Sequence, residues 1–359
     1  MLGEQKISDI LKDYDKDNLS VSTVTSHSAL QIFNGARKEN LHTIGIDIER
    51  EKSYNAFPLG RPNEYLKIDK YSDMLNEDFQ QYLRDKNAVI IPHGSFVEYL
   101  GAENFIDLDV PTFGNRKVLE WESNRTKEMK WLESAGLDVP NIIDEPEDID
   151  GPCMIKYHGA KGGKGFCVVK DRDEYYERVN DGEPHIIQEF IMGTRYYIHY
   201  FYSPITPKDQ GYEMDEGCLQ ILSMDRRDET NIDEAQRLGS IRELEKSNIH
   251  PTFVVTGNIP IVMRESLLPK AFEMGESVIE RSKELFGGLN GSFCLETVVD
   301  KDLKIRPFEI SARIVAGTNP YISGSSYSDL IEPGLSTGQR ISQEIKRAAK
   351  NDQMDEIIS

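Results

Sequence analysis

Cysteines, long apolar runs and positive charges are all scarce in this chain of 359 residues. The four cysteines are scattered without a CxxC spacing, which favours a reducing compartment. No apolar run approaches the ~18 residues that a membrane-spanning helix needs. The first residues contain no apolar signal segment either, so we expect a cytoplasmic protein without a membrane partner.

The charge balance of the chain is strongly acidic. There are 42 Lys and Arg residues against 62 Asp and Glu residues, a formal net charge of −20. Such a surface repels nucleic-acid backbones and anionic lipid headgroups, so we expect neither as a partner. If the ligand is an anion, basic residues must be clustered locally to hold it. The length and the hydrophobic content of 38% indicate a globular chain of two or three domains.

Strand and helix signals alternate over the first third of the chain. Short β-branched or apolar segments at Leu19–Val24, Leu41–Ile48 and Asn87–Ile91 are separated by helical patterns. This alternation predicts an open, mostly parallel sheet over residues 1–120. Ligands bind such sheets at the carboxyl ends of the strands.

Two further units are predicted after the first. Residues 121–200 combine short strands with a charged helix and are expected to form a small α+β lid. Residues 201–359 are expected to form a larger domain with a mixed sheet, including a hairpin whose strands are Gly291–Val299 and Leu303–Ile310. The predicted class is therefore α/β and α+β.

A glycine-rich segment, KYHGAKGGKGF, occupies residues 156–166 between two predicted strands. Four glycines in seven residues allow close approach of the backbone to a ligand and point several N–H groups into one concavity. Lys156 and two further lysines add positive charge, which suits a polyphosphate. The spacing fits neither the Walker A motif nor the dinucleotide fingerprint. A flexible hairpin turn is the alternative.

Glu296 and Glu309 form a candidate metal-binding pair on the predicted hairpin. If the hairpin closes around Lys301 and Asp302, Glu296 faces Pro307, and Glu309 lies diagonally on the same face. Such neighbours are ~7–8 Å apart at Cα, close enough to share a hard cation such as the Mg²⁺ of Mg-ATP. A register shift of one residue would separate them onto opposite faces. The alternative is two solvated glutamates.

Arg313 follows Glu309 by four residues and is a candidate for neutralising a phosphoryl group or a developing oxyanion. A surface salt bridge is the alternative for this side chain. The segment Gln188–Gly193 ends a predicted strand, and its backbone is a candidate hinge for an adenine edge, with Ile191 against the ring. A plain core strand is the alternative there.

Two turns of the first domain are candidates for a substrate site. Thr25–Ser28 begins a helix and contains His27, and Ser95 follows another strand in the sequence PHGS. Free N–H groups, hydroxyls and an imidazole at a helix N-terminus suit a phosphate monoester. Ordinary capping by serine is the alternative.

The candidate features follow one another in a definite order: Lys127 on a helix, Lys156 on a strand, the glycine-rich loop, Gln188–Ile191, Glu296 and Glu309 on a hairpin, and then Arg313. This order resembles the ATP-grasp superfamily of carboxylate–amine ligases. More closely, the chain is similar to the archaeal 5-formaminoimidazole-4-carboxamide ribonucleotide synthetase family from about residue 19 onwards. The strings that carry this similarity include TSHSAL (25–30), PHGSF (92–96), FGNR (113–116), IKYHGAKGGKGF (155–166), TGNIP (256–260), RESLLP (264–269) and FEISARIVAGTN (308–319).

The resemblance implies an ATP-grasp fold and a reaction in de novo purine biosynthesis. ATP, formate and 5-aminoimidazole-4-carboxamide ribonucleotide (AICAR) would give the formamido nucleotide (FAICAR), ADP and phosphate through formyl phosphate. Relatives of this kind imply a homo-oligomer, trimeric or hexameric. Two alternatives stay open: a paralogous ATP-grasp ligase with another substrate, and a non-catalytic nucleotide sensor.

The resemblance also implies roles for individual residues. The implied ribonucleotide contacts are His27, Ser95 and Asn258. The implied ATP contacts are Lys127, Lys156, Gly162, Gly163, Gly165, Glu189, Ile191 and Glu229. Glu296 and Glu309 match the ligands of Mg²⁺, with Mn²⁺ as an alternative, and Arg313 is the implied catalytic residue. The chain departs from many ATP-grasp enzymes at Ser311, where an Asn is common, so Glu309 and water would hold most of a second cation.

Overall fold

The described strands assemble into three separate sheets. The computed structural model describes residues 2–157, 166–179, 182–229 and 254–359. The strands are β1 (Ser20–Val24), β2 (His42–Asp47), β3 (Glu64–Lys67), β4 (Ala88–Ile90), β5 (Ile142–Ile143), β6 (Cys153–Tyr157), β7 (Phe166–Val169), β8 (His185–Glu189), β9 (Thr194–Ser203), β10 (Tyr212–Glu213), β11 (Cys218–Glu229), β12 (Val255–Pro260), β13 (Gly291–Val299) and β14 (Ile305–Ser311).

Helices cover or join these sheets. They are α1 (Leu2–Lys12), α2 (Ala29–Lys38), α3 (Glu51–Tyr54), α4 (Glu77–Asp85), α5 (Ala102–Ile106), α6 (Val118–Ser123), α7 (Arg125–Ser134), α8 (Arg172–Arg178), α9 (Leu268–Phe286) and α10 (Thr337–Asn351). None of the helices in the described ranges is long and apolar enough to cross a membrane. The sequence predicts one helix over 121–135, but Asn124 interrupts it. Its side chain instead caps α7 by accepting from the Lys127 N–H at 3.1 Å.

The first sheet is parallel, with strand order β3-β2-β1-β4, as predicted for an open α/β unit. Every residue of β1 is buried, because helices and loops cover both faces of the central strands. The chain leaves β1 at Thr25 and leaves β4 just before His93. The two candidate turns therefore lie at the same edge of this sheet.

The second sheet is antiparallel, with order β10-β11-β9-β13-β14 and β12 paired to β11. Directly opposed residues of neighbouring strands point to the same face. One such row consists of Met224, Ile198, Leu295 and Ile310, all buried in one apolar cluster with helix α9. The adjacent row consists of Asp225, Tyr197, Glu296 and Glu309, on the opposite face. We call these four residues the carboxylate row.

The third sheet is the predicted small α+β unit, with antiparallel order β5-β8-β6-β7. Its own core contains Ile155, Val169 and Ile187 and is covered by Tyr175 from α8. All four cysteines of the chain are free. The domain boundaries inferred from the sequence stay a prediction.

Two glycines let helices α2 and α10 cross with their backbones in contact. A Cβ at Gly35 would lie 2.2 Å from the Gln339 nitrogen, and one at Gly338 would lie 2.4 Å from the Gln31 carbonyl oxygen. Real Cβ atoms do not approach backbone atoms so closely, so both positions require glycine. This crossing attaches the parallel-sheet unit to the last helix. That helix is longer and more buried than the short amphipathic helix over 341–349 that the sequence predicts.

Candidate active site

Glu296 and Glu309 are directly opposed on strands β13 and β14. The predicted pairing of Glu296 with Pro307 is wrong, because Pro307 pairs with Thr297. A hydrogen bond from the Asp300 N–H to the Lys304 carbonyl closes the turn between the strands, and Leu303 in this turn has a φ of 63°. This turn shifts the register by one residue. An irregularity after Glu296 shifts it by one more. The two shifts together return both carboxylates to the same face, so the predicted proximity holds through a different pairing.

Glu296 is buried and bonded to an arginine that the sequence did not single out. Arg227 of β11 donates from Nη1 and Nη2 to the two oxygens of Glu296, at 3.0 and 2.6 Å. The guanidinium also lies over the ring of Tyr197, 3.9 Å from its centroid. Burial and the nearby Glu309 raise the pKa of Glu296, although Arg227 acts in the other direction. A run of charged residues, Asp225–Glu229, ends β11 and is the signal that marks Arg227.

Lys156 lies on strand β6 and approaches the carboxylate row. Its pKa is lowered to about 8, mainly by desolvation and then by Arg125, whereas Glu309 and Glu128 act in the opposite direction. The ammonium lies 5.8 Å from the centroid of the Phe308 ring. A partly desolvated cation therefore lies beside the two carboxylates, next to the start of the glycine-rich segment.

Two further glutamates cover the free edge of β14. Glu128 accepts from the Ile310 N–H at 2.8 Å, and Glu122 accepts from the Ala312 N–H at 2.5 Å. Burial raises the pKa of both carboxyls, and Glu309 raises them further. These contacts fix the strand that carries Glu309. Within the described ranges there is no group of three or more His, Cys, Asp or Glu side chains that could hold a metal ion.

Arg313 connects the antiparallel sheet to the turns of the parallel sheet. Its Nε donates to Glu122 at 3.2 Å, so it forms a salt bridge, but a largely buried one. A Cβ at Gly94 would lie 3.6 Å from its Nη2 and 2.9 Å from His27 Nε2. Arg313 therefore lies between the candidate metal pair and the candidate substrate turns, and its catalytic role stays a prediction.

The two turns bring two imidazole rings together. His27, at a φ of 53°, stacks on His93 with centroids 5.2 Å apart. Buried His93 donates from Nε2 to the Val24 carbonyl at 3.0 Å, and its Nδ1 accepts from the Ser95 N–H at 3.2 Å. Burial lowers the pKa of His93 to about 4. His27 keeps an exposed edge in the concave site, and desolvation followed by His93 and Arg313 lowers its pKa well below the usual value.

Asn258 lies on the same face of the antiparallel sheet, directly opposite Arg227 in the pairing of β12 with β11. Its Nδ2 donates to buried Asp225 at 2.8 Å. On the other side of the turns, Asn319 donates to the His27 carbonyl at 3.1 Å. Asn258 therefore lies on the face that carries Arg227, whereas His27 and Ser95 lie at the turns beside Arg313, with Ser95 buried.

Comparison with known proteins places the chain in a family. Residues 176–359 match a domain of unknown function (DUF1297), and residues 21–143 match a protein family of unknown function (DUF1246). A protein from Methanosarcina acetivorans, named 5-formaminoimidazole-4-carboxamide-1-(beta)-D-ribofuranosyl 5'-monophosphate synthetase, is 59% identical over 360 residues and is matched along 100% of both chains. The chain belongs to this synthetase family.

Solved structures agree with this family assignment. The synthetase fold is similar to that of an IMP biosynthesis protein PurP from Thermococcus kodakaraensis, with a TM-score of 0.73 and 28% identity over 94% of this chain and 100% of that one. An N5-carboxyaminoimidazole synthetase from Staphylococcus aureus, complexed with ADP, shares the fold at 12% identity and a TM-score of 0.63, covering 91% and 77% of the two chains. The predicted ATP-grasp fold is confirmed.

Three of the ATP contacts that the synthetase resemblance implied form ion pairs within the chain, and their contact with ATP stays a prediction. Lys127 forms an ion pair with Glu120 and lies 5.8 Å from the centroid of the Trp121 ring. Arg125, two residues earlier on α7, is the cation that acts on Lys156 and Glu128. Sequence reasoning missed it, although it lies in the same helical turn.

Glu189 and Glu229 are the last residues of β8 and β11, and each is paired with an arginine. Arg306 donates to both oxygens of Glu189, at 2.9 and 3.1 Å, and ties the lid sheet to β14. Glu229 is paired with Arg195. Ile191 is half-buried, two residues beyond β8. The predicted glycines of the ATP loop, Gly162, Gly163 and Gly165, lie outside the described residues.

Proposed function

We propose that this synthetase joins formate to the 5-amino group of AICAR at the expense of ATP, giving FAICAR, ADP and phosphate. The observation that carries the proposal is the identity of 59% along the whole chain with a relative named for that product. The geometry supports it. Neutral imidazoles lie on one side of Arg313, and the face that carries Asn258, cations and carboxylates lies on the other.

The chemistry divides into two displacements. A formate oxygen attacks the γ-phosphorus of ATP, and ADP leaves as formyl phosphate forms. The 5-amino nitrogen then attacks the formyl carbon, phosphate leaves, and the nitrogen loses a proton. Catalysis of this kind depends mainly on alignment and on compensation of charge.

The carboxylate face supplies the phosphate end of the site. Mg²⁺ bound by Glu296 and Glu309 would offset the charge of the phosphates and polarise the transferred group. The two carboxylates fit a hard cation because they are directly opposed on one face. Lys156 and Arg125 would contact phosphate oxygens, together with Lys127 and the glycine-rich loop. Glu229 would contact ATP away from the phosphates, because a carboxylate repels them, whereas Glu189 and Ile191 would border the adenine.

The turns supply the nucleotide end. His27, Ser95 and Asn258 would hold AICAR, and Arg313 would contact the formyl phosphate as the amine attacks it. A neutral His27 can accept or donate a hydrogen bond, and it adds no positive charge beside Arg313. We further propose a cytoplasmic enzyme that assembles as a homo-oligomer.

Release of ADP from purified protein tests the proposal. Mg²⁺-ATP and AICAR are supplied with and without formate, and FAICAR is followed by mass spectrometry. ADP and FAICAR that appear only when all three substrates are present would support the proposed reaction. Binding of ATP by calorimetry without any formate-dependent ADP would contradict it.

A further inference from the structure

A buried histidine–aspartate pair lies beneath the proposed AICAR end of the site. His199 Nε2 and Asp225 Oδ1 are 2.7 Å apart, and the two side chains are 2% and 0% exposed. The other oxygen, Oδ2, accepts from Asn258 at 2.8 Å. Asp225 therefore connects a buried imidazole to a half-buried amide in the proposed binding site.

An ionised Asp225 dictates which end of the Asn258 amide faces it. Although burial raises the pKa of Asp225, hydrogen bonds from His199 and Asn258 hold it below its ordinary value. A carboxylate only accepts hydrogen bonds, so the amide must turn its NH₂ group towards Asp225. The carbonyl oxygen of Asn258 then points to the other side and is left as an acceptor.

Close packing holds the pair in place. A Cβ at Gly317 would lie 2.3 Å from Asp225 Oδ1 and 2.8 Å from His199 Cε1, so the turn containing Gly317 lies directly against both side chains. The same turn continues to Asn319, which donates to the His27 carbonyl. The pair thus supports both Asn258 and the turn beside His27.

We propose that Asp225, held by His199, is a positioning residue that orients Asn258 so that its Oδ1 accepts a hydrogen bond from an N–H group of the aminoimidazole carboxamide base. The inference rests on the proposed function, because it takes AICAR as the ligand of this cleft. It assigns Asn258 to the base rather than to the phosphate, since a carbonyl oxygen repels a phosphate and attracts an N–H donor.

The test is a double-mutant cycle on Asp225→Asn and Asn258→Ala. In Asp225→Asn the side chain can offer either an oxygen or an NH₂ group. It therefore no longer fixes the orientation of the Asn258 amide. Each single variant should raise the KM for AICAR about tenfold, with the KM for ATP unchanged. If Asp225 acts through Asn258, the double variant should be no worse than Asn258→Ala alone. Effects that multiply in the double variant, or an equal rise in the KM for ATP, would overturn the inference.

A distant buried ion pair supplies a matched control for stability. Glu344→Gln removes a carboxylate that is as buried as Asp225 and is bonded to Arg340 on α10. It should lower the Tm and leave the KM for AICAR unchanged. His199→Gln serves as a second variant should Asp225→Asn not fold, and it should raise the KM for AICAR by about threefold. An unchanged KM there would overturn the role of the pair.

Calorimetric binding of AICAR separates this inference from the proposed function. If the unaltered protein binds AICAR but forms no FAICAR, the proposed reaction fails, and the same cycle is measured on Kd instead of KM. If the protein forms FAICAR and the cycle is additive, the positioning role alone fails. If AICAR does not bind, both fail.

Discussion

The carboxylate row and the histidine turns face the same cleft but control their charges in opposite ways. In the row, Glu296 is compensated by Arg227, and Lys156 lies beside the carboxylates. In the turns, His27 and His93 have pKa values below the ordinary value because burial and nearby cations disfavour the imidazolium form. Arg313 and Arg227 are cations that act on both regions, since each affects the pKa of His27 and of Glu296. One side of the cleft therefore holds fixed charges for phosphate chemistry, and the other offers neutral hydrogen-bonding groups to a substrate.

Substitution of Glu309 gives the largest expected effect and tests the role of the row. We expect Glu309→Gln to lower the rate of ADP formation roughly 100-fold or more, because the amide cannot replace a charged metal ligand. The side chain is half-buried, so the Tm should change little. The rate is measured at saturating substrates over a titration of Mg²⁺. Normal turnover in this variant would remove Glu309 from the metal site.

Glu296→Gln sharpens the difference between the two members of the pair. We expect a similar loss of activity, but also a decrease of about 3 kcal/mol in the free energy of unfolding, because Arg227 would lose its buried anionic partner. Denaturant unfolding of this variant is compared with that of Glu309→Gln. Equal stability of the two variants would show that the bond between Arg227 and Glu296 contributes little to folding.

Removal of His27 tests the turn side of the comparison. We expect His27→Ala to raise the KM for AICAR by about tenfold through the loss of one polar contact. The affinity for ATP should not change, because His27 is proposed to contact the other substrate. Both affinities are measured by calorimetry. An equal loss for ATP and AICAR would indicate a damaged fold rather than a lost contact.

The pH dependence of stability tests the neutrality of His93. Its pKa is about 4 in the folded chain and 6.5 ordinarily, so its contribution to stability is complete above pH 6.5 and is lost as the pH falls towards 4. The full contribution is about 3 kcal/mol. We expect the unfolding free energy of His93→Gln to fall less over this window than that of the unaltered protein. Parallel pH curves for the two proteins would contradict a neutral, buried His93.

Local sequence patterns predicted individual strands and helices more reliably than they predicted how the strands pair and how the elements pack. The bounds of β13 were predicted as observed, and the parallel sheet followed from the alternation of strands and helices. The register of the hairpin was not predictable, because the loop and the irregularity after Glu296 depend on tertiary packing. Lys156 lies near Glu309 and Glu296, and its contact with ATP stays a prediction.

Residues that act through neighbours were the hardest to predict. Arg227 and Asp225 lie on β11, a strand that the sequence analysis did not identify, and their partners are distant in sequence. Lys127 stays a predicted ATP contact, and in the structure its ammonium is paired with Glu120. Whether a lysine or an arginine on one helical turn faces a cleft is decided by side-chain packing, which periodicity does not show.

The glycine crossing of α2 and α10 has a consequence for synthesis on the ribosome. The core around β1 combines residues from both ends of the chain, including Ile7 and Ile32 with Ile341 and Ile357. While α10 is still unmade, α2 exposes the groove that Gly338 later fills. The amino-terminal unit therefore keeps apolar surface exposed to water until helix α10 has been synthesised and can pack against it.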